Sequence, residues 1–475
     1  MPIRSLSCAG ESVPCLTIRL ECAPLNSTLG EFSPSGGLVT PAYVPRCIDT
    51  PFPSRSSHPQ GKRGKVNEIL LINASGQDKP GVTYAITQVL SQWDARILDI
   101  GQAVIHDTLA LGMLVSLDMQ PEAREQLLAA IRQACAEQDI QVRFQSISAD
   151  SYRHWVDQQG KARHIVTLLA RQVTAAQIAE LTTIISRHGL NIDSINRLSG
   201  RVALTDLEKP VQDEQGSACV EFTVRGTPAD MLALRADFME LSARLNIDVA
   251  FQSDTVYRRN RRLVCFDMDS TLIEAEVIDE LAKAAGVGEQ VAEITEAAMR
   301  GELDFKQSFA RRMALLKGLD ESVLAGIAAQ LRLTEGAEKL ISTLKKLGYK
   351  TAILSGGFNY FGRYLQQKLG IDYVYANELD IVDGKVTGEV KGIVVDGQRK
   401  AELLAMLAQQ EGITLEQVIA VGDGANDLPM LSVAGLGVAF RAKPLVKASA
   451  QHAISNLGLD AILYLLGFRE RDKLR

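Results

Sequence analysis

The residues best suited to chemistry are two aspartates, Asp267 and Asp269, which follow a short apolar run beginning at Leu263. Such a run is typical of a strand buried in a doubly wound parallel sheet, where helices cover both faces and ligands collect beyond the carboxyl ends of the strands. Two neighbouring carboxylates there can hold a hard cation with oxygen ligands, or divide into a nucleophile and a general acid/base. Aspartate and serine are also common in solvated turns, so this stretch alone leaves both interpretations open.

Three further polar features stand where predicted strands end or predicted helices begin. Ser355 and Gly356 follow the apolar run 349–354, Lys400 begins the predicted helix 400–410, and the loop after the apolar run 417–421 contains Asp423, Asn426 and Asp427. Four such features in one domain are hard to explain as turn chemistry. The aspartates supply an oxygen-rich site of the kind that Mg²⁺ prefers, while the hydroxyl, the ammonium and the glycine amides supply donors for an anion.

These motifs carry a family resemblance. Asp-Met-Asp-Ser-Thr at 267–271, Ser-Gly-Gly at 355–357, Lys400 and Gly-Asp-Gly-Ala-Asn-Asp at 422–427 resemble the haloacid dehalogenase-like superfamily and, within it, the phosphoserine phosphatase family. The resemblance covers residues 262–475 and implies an α/β fold with a doubly wound, Rossmann-like parallel sheet and a helical cap. It implies Mg²⁺-dependent hydrolysis of O-phospho-L-serine to L-serine and phosphate through an aspartyl phosphate, the last step of serine biosynthesis.

The resemblance also implies a role for each motif residue. Asp267 is the expected nucleophile, and Asp269 is the expected general acid and base. The cation is expected to bind the Asp267 carboxylate, the Asp269 backbone carbonyl and Asp423, with Asp427 as a direct or indirect partner. The phosphoryl group and the rest of the substrate are expected to meet Ser355, the Gly356 amide, Lys400 and Asn426.

A run of helical segments at about 276–334, rich in Ala, Leu, Glu and Arg, is predicted to form the cap. The resemblance places Glu276 opposite the ammonium of the substrate and Arg312 opposite its carboxylate, an anion that suits the fork of a guanidinium. It matches Met299 and Phe305 to apolar residues that close the pocket. Solvated helix charges and ordinary core packing are the alternatives for these four residues.

Two other functions remain open on the sequence. A different member of the superfamily could act on another small phosphate monoester, as a phosphatase or a phosphomutase, although a sugar phosphate does not require both Glu276 and Arg312. An amino-acid sensor with an inactive catalytic domain is the other alternative. The complete set of acidic motif residues argues against it.

Two copies of one small module precede the catalytic residues. Residues 66–149 and 163–254 each predict the order β-α-β-β-α-β of a ferredoxin-like unit, with a polar segment between them. Both copies resemble ACT domains, regulatory modules that often bind amino acids where the first strand meets the first helix and often pair their sheets edge to edge. Asp-Lys-Pro-Gly at 78–81 matches that ligand loop, whereas residues 171–174 of the second copy lack the Pro-Gly pair. If the first copy binds an amino acid, L-serine, the expected product, or another amino acid is the candidate effector. A homodimer is the expected assembly, and scaffolding is the alternative role.

Composition argues against several classes of partner. The 475 residues are 46% hydrophobic and 23% charged with a formal net charge of −6 and no basic patch interleaved with aromatic residues, so neither nucleic acid nor a membrane is an expected partner. Seven cysteines without a CxxC pair predict no disulfide framework and no zinc site, which favours the cytoplasm. The basic run 258–262 is expected to be a solvated linker.

Residues 1–65 differ from the rest of the chain, being rich in proline, serine and glycine. Such a composition does not supply enough apolar surface to form a core. This segment is expected to be a disordered or spurious N-terminal extension, and it is assigned no function.

Overall fold

The computed structural model describes residues 66–201 and 216–470. The predicted N-terminal extension, residues 1–65, lies outside the described residues. Within the part of the chain that is described, no helix is long and apolar enough to cross a membrane.

The first module is a four-stranded antiparallel sheet with two helices on one face. Its elements are β1 (Val66–Gln77), α1 (Val82–Gln92), β2 (Arg96–Ile105), β3 (Thr108–Met119), α2 (Pro121–Ala136) and β4 (Gln141–Ile147), and the strand order is β2-β3-β1-β4. The apolar positions Val82, Ile86 and Leu90 recur every four residues along α1 and are buried against the sheet. The chain order is that of the predicted ferredoxin-like unit.

A helix connects the two modules. The polar segment between them contains α3 (Ala149–Gln159), which has no buried residue. The Ser148 hydroxyl caps this helix by accepting a hydrogen bond of 3.1 Å from the Ser151 amide. The capping hydrogen bond at its N-terminus therefore stabilises a helix that buries none of its side chains.

The second module repeats the first. It consists of β5 (Arg163–Ala170), α4 (Ala175–Arg187), β6 (Asn191–Arg197), β7 (Ala218–Arg225), α5 (Met231–Leu245) and β8 (Asp248–Ser253), in the strand order β6-β7-β5-β8. Seven of the eight residues of β5 are buried. The sheet face opposite its helices, with Leu169, Cys219 and Ala250, shares a core with Ile462 of the catalytic domain. The second module is thus packed directly onto that domain.

The basic run at the joint is not a solvated linker, and that expectation was wrong. Arg258 is 1% exposed and Arg261 is 6% exposed. The Arg258 Nη2 atom donates to Glu221 Oε2 of β7 at 2.5 Å, and its Nε donates to the Leu465 carbonyl at 3.2 Å. Arg261 Nη1 donates to the Glu416 carbonyl at 2.9 Å. The counter-charge and the acceptors come from distant parts of the chain, so the local sequence does not reveal them.

The pair between Glu221 and Arg258 predicts a stability effect. Because Glu221→Ala leaves a buried guanidinium without its carboxylate, we expect the free energy of unfolding to fall by about 3–5 kcal/mol. Urea denaturation followed by circular dichroism measures it. Glu180→Ala is the matched control, since Glu180 pairs with Arg244 on the exposed surface of the same module, where ion pairs contribute little. Equal losses in both variants would contradict the role given to the buried pair.

The catalytic domain is built on a seven-stranded sheet in the order β12-β11-β10-β9-β13-β14-β15. The strands are β9 (Leu263–Phe266), β10 (Lys350–Phe358), β11 (Tyr373–Val382), β12 (Lys385–Lys391), β13 (Val418–Gly422), β14 (Leu436–Phe440) and β15 (His452–Ile454). All neighbours are parallel except β11 and β12, which form an antiparallel hairpin. Phe266 at the end of β9 is level with Ile353 of β10 and Val421 of β13. The residues that follow these three aligned positions therefore meet at the middle of the sheet, at the carboxyl ends of its parallel strands.

Helices cover both faces of this sheet. They are α10 (Ala337–Lys346), α11 (Asn359–Leu369), α12 (Gly397–Gln410), α13 (Leu428–Val433), α14 (Pro444–Ser449) and α15 (Ile462–Leu465). Alternate residues of β9 enter different cores, Val264 and Phe266 on one face and Leu263 and Cys265 on the other. This is the doubly wound arrangement predicted from the uninterrupted apolar run, and the predicted fold class is confirmed.

The predicted cap is helical and is inserted after β9. It contains α6 (Val277–Ala285), α7 (Gly288–Met299), α8 (Phe305–Leu315) and α9 (Val323–Gln330). The chain enters and leaves through two short segments that pair with each other, because the Glu274 amide donates to the Arg332 carbonyl and the Thr334 amide donates to the Leu272 carbonyl, both at 3.0 Å. These two paired segments connect the cap to the sheet and hold it over the sheet edge.

Candidate active site

Asp267 is the first residue beyond β9 and is 5% exposed. Its amide donates to the Val421 carbonyl of β13 at 2.8 Å, and its Oδ1 accepts the Met268 amide at 2.7 Å. Burial, and then the charge of Asp427, raise the pKa of Asp267 well above its usual range, while the Lys400 ammonium opposes them. The backbone of the central sheet thus fixes the Asp267 carboxylate at a buried position, where a nearby cation is needed to stabilise its negative charge.

Asp269 is held between the sheet and the cap. Its Oδ1 accepts the Val277 amide at the start of α6 at 2.9 Å, and its Oδ2 lies 3.3 Å from the Ser355 hydroxyl. Burial, and then the charge of Glu276, raise the pKa of Asp269 to about 7, while the Val277 amide opposes them. A carboxyl group with such a pKa can both donate and accept a proton near neutral pH.

Lys400 is the cation that contacts Asp267 and Asp427 at the edge of the sheet. Helix α12 begins at Gly397, earlier than the predicted start at Lys400, because the Asp396 side chain caps it through the Arg399 amide at 2.9 Å. Lys400 therefore lies in the first turn, fully buried, with Nζ 2.9 Å from Asp267 Oδ1 and 2.7 Å from Asp427 Oδ1. Burial would lower the pKa of Lys400, but these two carboxylates raise it, so the ammonium stays charged.

Three carboxylates converge at this edge of the sheet. Oxygen atoms of Asp267, Asp423 and Asp427 lie within 4.8 Å of one another. Thr271 Oγ1 donates to Asp423 at 3.1 Å, and the Gly424 amide donates to Asp427 at 2.9 Å. Burial, and then the charge of Asp427, raise the pKa of Asp423 to about 7. The three carboxylates carry more negative charge than Lys400 alone can neutralise. Such a group of oxygen ligands fits a hard divalent cation such as Mg²⁺.

Hydrogen-bond donors for an anion lie beside the carboxylates. Ser355 is fully buried and its Oγ accepts the Gly357 amide at 2.9 Å. Strand β10 continues through Phe358, beyond the predicted end at Leu354, because Asn377 donates to the Gly356 carbonyl at 2.8 Å. A side chain at position 357 would place its Cβ 2.3 Å from Asp269 Oδ2, so only glycine fits there.

The cap directs its two predicted specificity residues at this site. Glu276 Oε1 accepts the Ser270 hydroxyl at 2.8 Å. Its side chain reaches the surface, yet the protein atoms crowded around its carboxylate reduce hydration and raise its pKa. Arg312 is half-buried, and its Nε has no hydrogen-bond partner among the described residues. Burial lowers the pKa of Arg312, while Asp279, Glu276 and Asp269 raise it. The two side chains lie within each other's electrostatic reach, since Arg312 lowers the pKa of Glu276 and Glu276 raises that of Arg312.

The remaining predicted residues lie at the edges of the site. The Phe305 ring lies over Gly356, where an added Cβ would come 3.2 Å from its Cζ, and it stacks on Phe309 with ring centroids 6.0 Å apart. Asn426 is half-buried beside Gly424 in the loop between β13 and α13. The side chain of Met299 lies outside the described residues.

Sequence reasoning assigned no role to Thr271 or Ser270. Both hydroxyls belong to the Asp267 motif and support acidic side chains, Thr271 holding Asp423 and Ser270 holding Glu276. The Asp-x-Asp-x-Thr spacing was the available signal for Thr271. Ser270 has a left-handed backbone (φ 53), and nothing in its local sequence indicated its contact with the cap.

Comparison with known proteins decides the family. Family models match an ACT domain at residues 68–145, an ACT domain at 162–252 and a haloacid dehalogenase-like hydrolase at 261–435. The phosphoserine phosphatase of Streptomyces coelicolor is 41% identical over 403 residues, which cover 85% of this chain and 93% of that protein. This chain belongs to the phosphoserine phosphatase family.

Other relatives of this chain are consistent with that assignment. The phosphoserine phosphatase of Mycobacterium tuberculosis is 39% identical over 402 residues, covering 84% of this chain and 93% of that protein. The solved structure of a probable phosphoserine phosphatase from Vibrio cholerae is 36% identical, with a TM-score of 0.51, and covers 65% of this chain and 87% of that one. The predicted resemblance to the phosphoserine phosphatases and to two ACT domains is confirmed.

Proposed function

We propose that this enzyme hydrolyses O-phospho-L-serine with Mg²⁺ through a covalent phosphate on Asp267. The single observation that supports this most strongly is the buried contact of Asp267 with Lys400 at 2.9 Å, next to Asp269 with a pKa raised to about 7. The Lys400 ammonium opposes the burial that raises the pKa of Asp267, and a bound cation would further favour its charged, nucleophilic form, while Asp269 can carry a proton. Two carboxyl groups with such different environments are suited to separate roles.

The proposed reaction has two displacements at phosphorus. Asp267 attacks in line, its oxygen forms a bond to phosphorus, and the bond from phosphorus to the serine oxygen breaks as Asp269 donates its proton to that oxygen. In the second step Asp269 removes a proton from water, which attacks the aspartyl phosphate and releases inorganic phosphate. The charge on the transferring group is met by Lys400, the Ser355 hydroxyl and the Gly356 amide.

The residues that would hold the cation are the Asp267 carboxylate, the Asp269 backbone carbonyl and Asp423, with Asp427 as a direct or indirect partner. Asp427 is fully buried and already accepts from Lys400 and the Gly424 amide, so it also fixes the ammonium. When bound, Mg²⁺ supplies positive charge to the phosphoryl oxygens and offsets the repulsion among the carboxylates.

Substrate choice is proposed to depend on the cap. Arg312 would bind the substrate carboxylate through its unpartnered guanidinium edge, and Glu276 would bind the ammonium. Asn426, in the loop after β13, would help to hold the substrate. Opposite charges on the two cap residues match the zwitterionic end of phosphoserine and disfavour neutral monoesters.

Arg312→Ala should separate substrates by their charges. We expect kcat/KM for phosphoserine to fall by a factor corresponding to roughly 2–5 kcal/mol, because a buried charge loses its partner. Phosphoethanolamine has no carboxylate, so its kcat/KM should be nearly unchanged. Glu276→Gln should give the complementary pattern, with a loss for phosphoserine and little loss for phosphoglycolate. Equal losses on all three substrates would mean that these residues support cap closure or folding instead of recognition.

The proposed reaction is tested by phosphate release from L-phosphoserine against a panel of monoesters, with and without Mg²⁺. The panel includes a sugar phosphate, phosphoglycolate and phosphoethanolamine. A preference for phosphoserine that requires Mg²⁺ is expected. A faster reaction with a sugar phosphate would mean that the enzyme acts on another class of substrate.

The first ACT domain is proposed to bind L-serine and to mediate dimerisation. Its loop at 78–81 is mostly exposed, whereas Arg171 in the matching loop of the second copy binds Glu335 of the catalytic domain through two contacts of 2.8 Å. Strand β2 is an open sheet edge that a second copy could pair with. Calorimetry of the full chain with millimolar L-serine should show binding that Pro80→Ala and Gly81→Ala weaken, and light scattering should show a dimer. Absence of heat, or a monomeric mass, would favour simple scaffolding.

We place the reaction at the last step of serine biosynthesis, in the cytoplasm. Among the described residues, Cys135 and Cys265 are free and, like Cys219, buried, which suits a reducing compartment. We retain 66–149, 163–254 and 262–475 as the domain limits for expression of separate pieces.

A further inference from the structure

A cleft of about 360 Å³ lies between the second ACT domain and the catalytic domain, and none of the three clustered aspartates lines it. One wall is formed by α5 and β8, and the other by α14 and β15. Much of the lining is apolar, with Phe238, Met239, Val249 and Phe251 from the ACT domain and Pro444 and Ala448 from the catalytic domain. A cleft of this size and lining suits a small organic molecule.

Two cations face this cleft from opposite domains. Arg235 belongs to α5 and Lys447 to α14. Neither forms an ion pair within the part of the chain that the structure describes. The carboxylate in the lining, Asp248, already accepts the Ser455 amide at 2.8 Å and the Asn456 amide at 2.9 Å. The two cations therefore remain available to an anion.

His452 adds a neutral polar group to the lining. It is 8% exposed, and its Nδ1 has no hydrogen-bond partner among the described residues. Burial, and then the charges of Arg261 and Arg235, lower the pKa of His452 to about 3, so the ring is uncharged at neutral pH. The charged groups around the ring are thus Arg235, Arg261, Lys447 and Asp248, and positive charge predominates.

We propose that this cleft binds a small carboxylate with an apolar or aromatic body. The carboxylate is placed between Arg235 and Lys447, and the body packs against Phe238 and Phe251. A phosphate or another small, wholly polar anion would leave the apolar walls unused, and the enclosed volume is too small for a folded partner. The proposal concerns a site separate from the acidic cluster and from the loop at 78–81, and it does not depend on the proposed reaction.

Binding here should reinforce the joint between the domains. The ligand contacts α5 of one domain and α14 of the other, so it binds only when the two are docked. A ligand that binds the docked state alone raises the apparent stability of that state. Hydrogen exchange at β8 and β15 should therefore slow when the ligand is bound.

The full-length protein and 3-phenylpropanoate provide the test, with the neutral 3-phenylpropan-1-ol as the matched compound. Saturation-transfer NMR and calorimetry should show saturable binding of the carboxylate and at least tenfold weaker binding of the alcohol. Arg235→Gln and Lys447→Gln should each weaken binding of the carboxylate roughly tenfold, because each variant loses one charged contact. Arg244→Gln, on the same helix but outside the lining, is the control and should bind as the unmodified protein does.

Circular dichroism and the thermal midpoint are measured on every variant to show that it is folded. Binding that is absent at millimolar carboxylate, that is equal for the alcohol, or that is unchanged in both Arg235→Gln and Lys447→Gln would overturn the proposal. Slower exchange at β8 and β15 in the presence of the carboxylate, lost in Lys447→Gln, would support it. None of these results depends on Asp267 chemistry, so this site and the proposed reaction can fail separately.

Discussion

The Asp267→Asn enzyme is expected to lose turnover of phosphoserine by roughly 10⁴-fold or more while keeping its fold, as is typical when a catalytic nucleophile is removed. An amide oxygen is a poor nucleophile, and the amide also removes the negative charge that lies 2.9 Å from Lys400. Substrate binding depends mainly on other side chains. The loss should therefore appear in kcat, with a much smaller change in KM.

Asp383→Asn is the matched control for that variant. Asp383 is exposed at the turn of the β11–β12 hairpin with a φ of 49°, a conformation that asparagine also tolerates. Its turnover should equal that of the unmodified enzyme. Residual turnover of more than a few per cent in Asp267→Asn would contradict the assignment of Asp267 as the nucleophile.

Removal of divalent cations should have the second large effect. Asp267, Asp423 and Asp427 bring their oxygens within 4.8 Å, and Lys400 is the cation within contact distance of two of them. Without a further positive charge, the phosphoryl group would approach a repulsive site. We expect EDTA to reduce turnover to background and added Mg²⁺ to restore it.

Two controls separate metal loss from other effects of the chelator. EDTA already saturated with Mg²⁺ should leave turnover intact. Mg²⁺ should also raise the thermal midpoint of the unmodified enzyme by binding the folded state, and this shift should shrink in Asp423→Asn, which lacks one ligand charge. Unchanged turnover in metal-free buffer would eliminate the metal assignment.

The sheet edge could be predicted because its signals are local. Strands β9 and β13 are apolar runs that stop at acidic residues, and the rule that ligands collect at the carboxyl ends of parallel strands places Asp267 and Asp423 together. The element order of the two ACT domains follows in the same way from apolar periodicity.

What the sequence did not reveal depends on contacts between distant residues. Arg311 and Arg312 are adjacent and chemically alike, and only the family resemblance singled out Arg312. Arg311 is exposed while Arg312 lies near the acidic residues, because the helix face that meets the sheet edge is set by packing. Arg258 is buried because Glu221 reaches it from another domain. A run of basic residues has the same local pattern whether or not such a counter-charge exists.

The measurement that tests the central claim most directly is the location of phosphate on the enzyme during turnover. The unmodified enzyme is mixed with phosphoserine and Mg²⁺ and quenched in acid within milliseconds, and acyl phosphates are reduced with borohydride, which converts a phosphorylated aspartate to homoserine. Mass spectrometry of the peptides should find homoserine at position 267 and aspartate at 269, 423 and 427. Homoserine at any of those other positions, or phosphate held on a serine while 267 stays aspartate, would contradict the account.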